Sequence, residues 1–263
     1  MSSERAVYYE RNGWVGQIVL NRPDNRNSMT GALLDAFALA SEEARKDAEA
    51  RCIVIRGMGR CFSAGADFRD SLQRDKAHRT PSEKSYAMYE PFLSVLDIEV
   101  PVIGALQGHA VGGGFGLALV CDLRVGCRNS KYGANFAKIG LHSGMAISYL
   151  LPRLVGVAHA ADLLFTARLI DGETAGSIGL FNHVADSSEA VLEHANSLAH
   201  AISANAPGVV RSIKRMLYDG LNWDPRRAAR AEALAQAQSL ETQDAVEGMN
   251  ALLEKRPPSF RGS

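Results

Sequence analysis

Two short stretches hold the small residues from which main-chain chemistry is built. HAVGGGFGLALVCDLRV, residues 109–125, joins three glycines to an apolar run that meets an aspartate. Glycines ahead of a helix let a ligand approach the backbone closely, and the first helical turn offers unpaired N–H groups with a partial positive charge. GRCFSAGADF, residues 59–68, is a second small-residue turn and follows the apolar segment CIVIRG. Both turns stand at the end of a strand-like run, so one N–H from each could meet on a single oxygen. That is an oxyanion hole, which stabilises negative charge developing on a carbonyl. The plainer reading is that Gly112, Gly113 and Gly114 only permit tight helix packing. The spacing is not G-x-G-x-x-G and no G-K-[ST] follows, which argues against a nucleotide phosphate.

Side chains able to move protons are sparse beside these turns. His142 and Ser143 sit in IGLHSGM, and a neutral imidazole can act as a base near pH 7. The polar stretch 67–89 supplies His78, Glu83, Tyr86 and Tyr89. It reads as a flap with some helix, and long irregular segments often carry function. Against each candidate stands a structural reading: turn histidines are usually hydrogen-bonded, and flap charges are usually solvated. His109 reads as packing. Cys52, Cys61, Cys121 and Cys127 lie in or beside apolar segments without C-x-x-C spacing or a His-rich partner. They read as reduced core residues, and no metal site is expected.

The elements that must hold these turns alternate between strand and helix. VYYE–RNG–WVGQIVL is two alternating runs around Asn12-Gly13, a hairpin signal. Thr30 can cap a helix over residues 31–50, with Leu33, Leu34, Phe37 and Ala44 near one face. CIVIRG, PVIGALQG and DLRVGC read as short buried strands, the second led by a proline that suits a strand's first residue. The alternation argues an α/β fold, with two strands for many of the helices. Beyond about Ala204 the chain becomes helical, in residues 207–221 and 224–256, each with a proline near its start. The expected division is a core over 1–203 and a helical region over 204–263, whose alanine-rich face suits another subunit.

The totals exclude several partner classes. In 263 residues, Lys+Arg and Asp+Glu are equal at 29 each, which gives no reason to expect nucleic acid or an anionic membrane as partner. The opening MSSERAVYYERNG has no apolar segment of a secretory signal, and no run of about 18 apolar residues stands out as a membrane span. A reducing, cytoplasmic setting is the expectation.

Taken in order, the motifs resemble the crotonase (enoyl-CoA hydratase/isomerase) superfamily. They are LNRPDNRNSM, CFSAGAD, VPVIGALQGHAVGGGFGLALVCDLRV, YGANFAKIGL, LPRLVG, DLLFTARLIDGETAGSIGLFNHV and EKRPPSF, which together span almost the whole chain. The resemblance implies the crotonase (ClpP-like) fold, a spiral of ββα units with a C-terminal trimerisation region. It also implies an acyl-coenzyme A thioester as ligand, with no cofactor beyond that coenzyme A, in a homotrimer or a dimer of trimers. The oxyanion donors carry over to the N–H groups of Ala66 and Gly113. Substrate contacts carry over to Ala64, Ala66, Asp67, Phe68 and Arg69. Arg26 is a candidate for a coenzyme A phosphate, and Lys255 and Arg256 for a neighbouring subunit's coenzyme A. For these three basic side chains a solvated surface charge is an equal alternative. By the same resemblance Asp67 fixes the oxyanion loop and Asp122 is structural.

The same resemblance exposes a gap. Family hydratases use two glutamates to place water and a proton across the double bond, and the two positions here are Gly116 and Phe136. Some related isomerases and synthases use an aspartate slightly further on, where this chain has Ser143 and Gly144. Losing a positioned acid or base costs about 100- to 10,000-fold per group. The expectation is therefore an enolate-stabilising enzyme, a lyase or isomerase rather than an efficient simple hydratase, with His142 the tentative proton carrier. The alternative is a non-catalytic acyl-CoA-binding protein. Phe136 is expected to dry the pocket, and Gly116 to leave room for a bulky acyl group.

Overall fold

A computed structural model describes residues 5–67 and 80–263. The hairpin joins β1 (Val7–Asn12) to β2 (Val15–Leu20), with Asn12 paired to Val15. The two loop residues are therefore Gly13 and Trp14, one position later than expected, and Gly13 takes the positive φ (60°) that such a turn requires. Thr30 caps α1 (Gly31–Lys46) by accepting from Leu33 N, and Leu33, Leu34, Phe37 and Ala44 are all on its buried face.

From there the chain winds in repeating units. β3 (Cys52–Gly57) and β4 (Cys61–Ser63) are followed, after the segment outside the described residues, by α2 (Pro81–Leu93). β5 (Val102–Leu106) and β6 (His109–Val111) lead into α3 (Gly113–Val120), and β7 (Leu123–Cys127) and β8 (Lys131–Gly133) into α4 (Ile147–Thr166). The first strand of each pair joins a six-stranded sheet ordered β1-β2-β3-β5-β7-β10, and the second joins a four-stranded sheet ordered β4-β6-β8-β9. This is a spiral of ββα units. β9 (Ile170–Asp171), α5 (Gly172–Ser177), β10 (His183–Ala185) and α6 (Ser188–Ser203) complete it.

The central strands are parallel and buried on both faces, which is why they read as unbroken apolar runs. Alternate residues divide between two cores: Ile53 and Ile55 join α1 and the smaller sheet, whereas Cys52 and Val54 meet Val191, Ala195 and Ala199 of α6. The four cysteines are free and buried. Burial pushes the Cys52 and Cys121 thiols up to about 12, so neither is a thiolate near neutrality.

Three helices follow: α7 (Pro207–Asp219), α8 (Pro225–Leu240) and α9 (Gln243–Glu254). The expected single helix over 224–256 is divided, because Thr242 turns out of the helix and caps the next one by accepting from Ala245 N. One expectation about membranes also needs correction. By length and mean hydropathy alone (1.2), Ile147–Thr166 is a run able to cross a membrane. Gly156 leaves helical geometry inside it (φ 77°, ψ 160°), and Ile147, Leu151, Val155, Ala160 and Leu163 are buried against the protein. It is a bent, packed helix pair.

Candidate active site

The first turn is built by buried polar side chains. Asn27 is fully buried and held at positive φ (53°). Its Oδ1 accepts from Arg22 N, and its Nδ2 donates to the carbonyls of Met58 and Cys61. Gln107 Nε2 donates to the same Cys61 oxygen and to Gly59 O, while its Oε1 accepts from Gly57 N. Ser63 Oγ donates to Asn27 O and accepts from Gly65 N. Every buried donor and acceptor so engaged would cost about 1–3 kcal/mol if orphaned, so the loop has one well-determined course. None of these three residues was singled out from sequence. The available signal was an Asn, a Ser and a Gln inside otherwise apolar or small-residue segments.

That course brings the two turns together. Gly65 has φ 83°, and a Cβ there would lie 2.5 Å from Val111 O and 3.1 Å from Gly113 N. Only glycine fits. Ala66 bridges Met29 in parallel fashion, with Met29 N donating to Gly65 O at 2.8 Å. On the other side Gly112 takes φ 58°, ψ −121°, donates to Gly133 O, and starts α3, all eight residues of which are buried. Among the described residues neither the Ala66 N–H nor the Gly113 N–H donates to a backbone carbonyl. Gly113 is the first residue of its helix, where an amide has no intrahelical acceptor. The two turns, from segments almost fifty residues apart, thus meet with Gly65 against Val111, Gly112 and Gly113.

The tight packing of the plainer reading is present. A Cβ on Gly113 would run into Met29 Sδ, and one on Gly114 would run into the Ser63 carbonyl oxygen. The expected room beside Gly116 is absent: a Cβ there would collide with Met145 Cβ and lie 2.9 Å from its Cγ. Met145 itself is 1% exposed. Phe136 is half-buried against the main core, its Cζ 3.8 Å from where a Gly112 Cβ would stand. Tyr89 of α2 presses on Gly144, with both Cζ and the hydroxyl 2.5 Å from the position of a Cβ there.

The remaining candidates separate. Ala64 N donates to Arg26 O, so residue 26 does border the first turn. The Arg26 charge is close enough to oppose the upward push that burial gives the Cys61 thiol. Asp67 is half-buried at the end of the first described segment; Phe68, Arg69 and His78 lie outside the described residues. His142 is exposed and its Nδ1 is 2.7 Å from Ser143 O, the bonded turn histidine of the plainer reading. Glu83 is committed to a capping box with Thr80, and Tyr86 is exposed. His109 is exposed rather than packed, its Nδ1 accepting from Lys131 N. Lys255 is exposed with φ 54° at the end of α9. Arg256 is taken up by Glu247 and Glu254. Asp122 accepts from Val102 N, Lys214 Nζ and Tyr218 Oη, tying α7 to the sheet. A separate cleft of about 780 Å3 lies on β1 and α1, lined by Val7, Arg22, Ala36 and Glu43 among others. It holds no residue of the two turns, and its acidic side chains Asp24 and Glu43 are taken up in ion pairs with Arg22 and Arg5.

Known proteins are similar to this one along almost the whole chain. The model of the family described as enoyl-CoA hydratase/isomerase matches residues 10–263. The chain is similar to methylglutaconyl-CoA hydratase of Rattus norvegicus, 32% identical over 96% of this chain and 81% of the relative. It is also similar to enoyl-CoA hydratase domain-containing protein 2 of Bos taurus, 34% identical over 95% of this chain and 86% of the relative. A solved enoyl-CoA hydratase from Bacillus anthracis superposes with a TM-score of 0.91 at 28% identity, covering 98% of this chain and 100% of that one. The spiral is the crotonase fold, and the chain belongs to the enoyl-CoA hydratase/isomerase family.

Proposed function

We propose that the protein binds an acyl-coenzyme A thioester and stabilises its enolate between the N–H groups of Ala66 and Gly113, as a lyase or isomerase rather than an efficient hydratase. The observation that carries this is the meeting of the two turns, with both amides unengaged by backbone carbonyls. A thioester oxygen in that space would accept two preorganised hydrogen bonds that strengthen as it gains charge. Decarboxylation suits such a site best. The C–C bond to the carboxylate breaks, carbon dioxide leaves, and the electron pair passes into the enolate, so no base is needed to form it.

Water activation has little support. Residues 116 and 136 are glycine and phenylalanine, and Met145 fills the space over Gly116. The phenol of Tyr89, seated on Gly144, is a better-placed polar group than the exposed His142. Coenzyme A would be held near Arg26, Ala64 and Asp67, with Lys255 reaching it from a neighbouring subunit. No further cofactor enters the scheme. A homotrimer, or a dimer of trimers, would cover the apolar side chains that α8 and α9 leave exposed, such as Leu234, Leu240, Leu252 and Leu253.

Titration with crotonyl-CoA, longer enoyl-CoAs and malonyl-type thioesters tests the proposal, with binding and products followed together by mass spectrometry. Turnover of a malonyl-type or isomerisable thioester, with slow hydration of crotonyl-CoA, is the expected result. Tight binding without turnover across the panel would replace it with a non-catalytic acyl-CoA-binding role.

A further inference from the structure

Gly113 and Gly116 lie three residues apart, on one face of α3 and roughly 4.5 Å apart along its axis. If the thioester oxygen meets Gly113 N, the carbons beyond it pass Gly116. The space directly over Gly116 belongs to Met145, whose Cβ, Cγ and Cε all lie within 3.5 Å of where a Cβ would stand. The wall there is sealed down to the backbone.

An unusual turn aims that side chain. Met145 and Ala146 are consecutive non-glycine residues at positive φ, 59° and 53°. Each such residue costs about 1–2 kcal/mol relative to ordinary helical geometry, and a strained pair persists only where its surroundings over-determine it. Both flanks do so here. Ala146 O accepts from Tyr149 N and Leu150 N at the start of α4, and Tyr89 presses on Gly144 from the other side. The strain thus holds a buried thioether against a glycine in another element.

We infer that Met145 is a specificity-determining residue, closing the acyl pocket against a branch on the carbon next to the thioester and so selecting straight-chain over α-branched acyl groups. This rests on the acyl-CoA reading above. An apolar pocket discriminates about 10- to 200-fold per methyl or methylene group, which sets the size of the effect.

The test compares butyryl-CoA, isobutyryl-CoA and free coenzyme A by calorimetric titration of the intact protein. Wild type should prefer the straight chain. Met145→Gly removes the side chain while giving a positive-φ position the residue that suits it. It should reduce that preference by about tenfold or more and leave the affinity for free coenzyme A unchanged. Met145→Ala should reduce it in the same direction, and serves if the glycine variant does not fold. An unchanged preference in a variant that still binds both thioesters would overturn the role of Met145 and leave the acyl-CoA reading standing. If wild type binds neither thioester, both the reading and this inference fall.

Discussion

A Cβ at residue 113 would strike Met29, so replacing Gly113 alone mixes loss of an amide with a packing collision. The two are separable in a Met29→Ala background. There Gly113→Ala keeps the N–H, whereas Gly113→Pro removes it at a first helical position that proline otherwise tolerates. Thioester turnover should survive in the alanine variant and fall about 100- to 1000-fold in the proline variant, the usual cost of one oxyanion donor. Equal rates in two folded variants would remove Gly113 from the chemistry. Asn27 bears on this site through the backbone it holds. Asn27 reaches three backbone groups from a fully buried position, and it does so from the left-handed region that asparagine tolerates better than most residues.

At the scale of elements, Lys214 is the clasp between α7 and the spiral. Its ammonium donates to Ile98 O, Val100 O and Asp122 Oδ2, the last at 2.7 Å. Beside it, burial and the Asp122 carboxylate hold the Tyr218 phenol well above its usual range. Lys214→Met should leave those acceptors short of a charged donor, a loss of about 1.5–3 kcal/mol. Hydrogen exchange should quicken across Pro207–Asp219 while Cys52–Gly57 stays protected; uniform quickening would mean that α7 and the sheet open as one unit. Much of this layer was legible in the sequence because its signals are local: the glycine of the hairpin, Thr30 ahead of an amphipathic run, apolar stretches bounded by Gly and Pro. The break between α8 and α9 lacked either punctuator and depended on Thr242 alone. Met145 over Gly116 was illegible for a deeper reason. It depends on where a strained turn points a side chain relative to a helix about thirty residues earlier, and no local pattern encodes that.

Across the whole molecule, the last residues fold back on α9 and on the residue that leads into β3. Glu247 accepts from Arg256 and from Ser259 N, Asp244 accepts from Arg261 N and Gly262 N, and Arg51 donates to Phe260 O. The Arg256 guanidinium holds the Glu247 carboxyl down at about 2 from an ordinary 4.5. A depressed carboxyl pKa contributes stability above its unfolded value, and that contribution is lost as pH falls through the folded one. Residues 256–263 should therefore loosen between about pH 4.5 and 2, seen as faster hydrogen exchange there, and Glu247→Gln should abolish this pH dependence. A tail equally protected at both ends of that window would rule out the Glu247 anchor. In the function proposed here, the assembled spiral would matter through one result, the placing of the Ala66 and Gly113 amides about a single oxygen. Isotope-edited infrared spectroscopy of a bound acyl-CoA carrying a 13C-labelled thioester carbonyl reads that placing directly. The carbonyl stretch should move to lower frequency on binding, and by less in Met29→Ala/Gly113→Pro than in Met29→Ala/Gly113→Ala. A saturated complex whose carbonyl vibrates as it does in free solution would contradict the oxyanion hole.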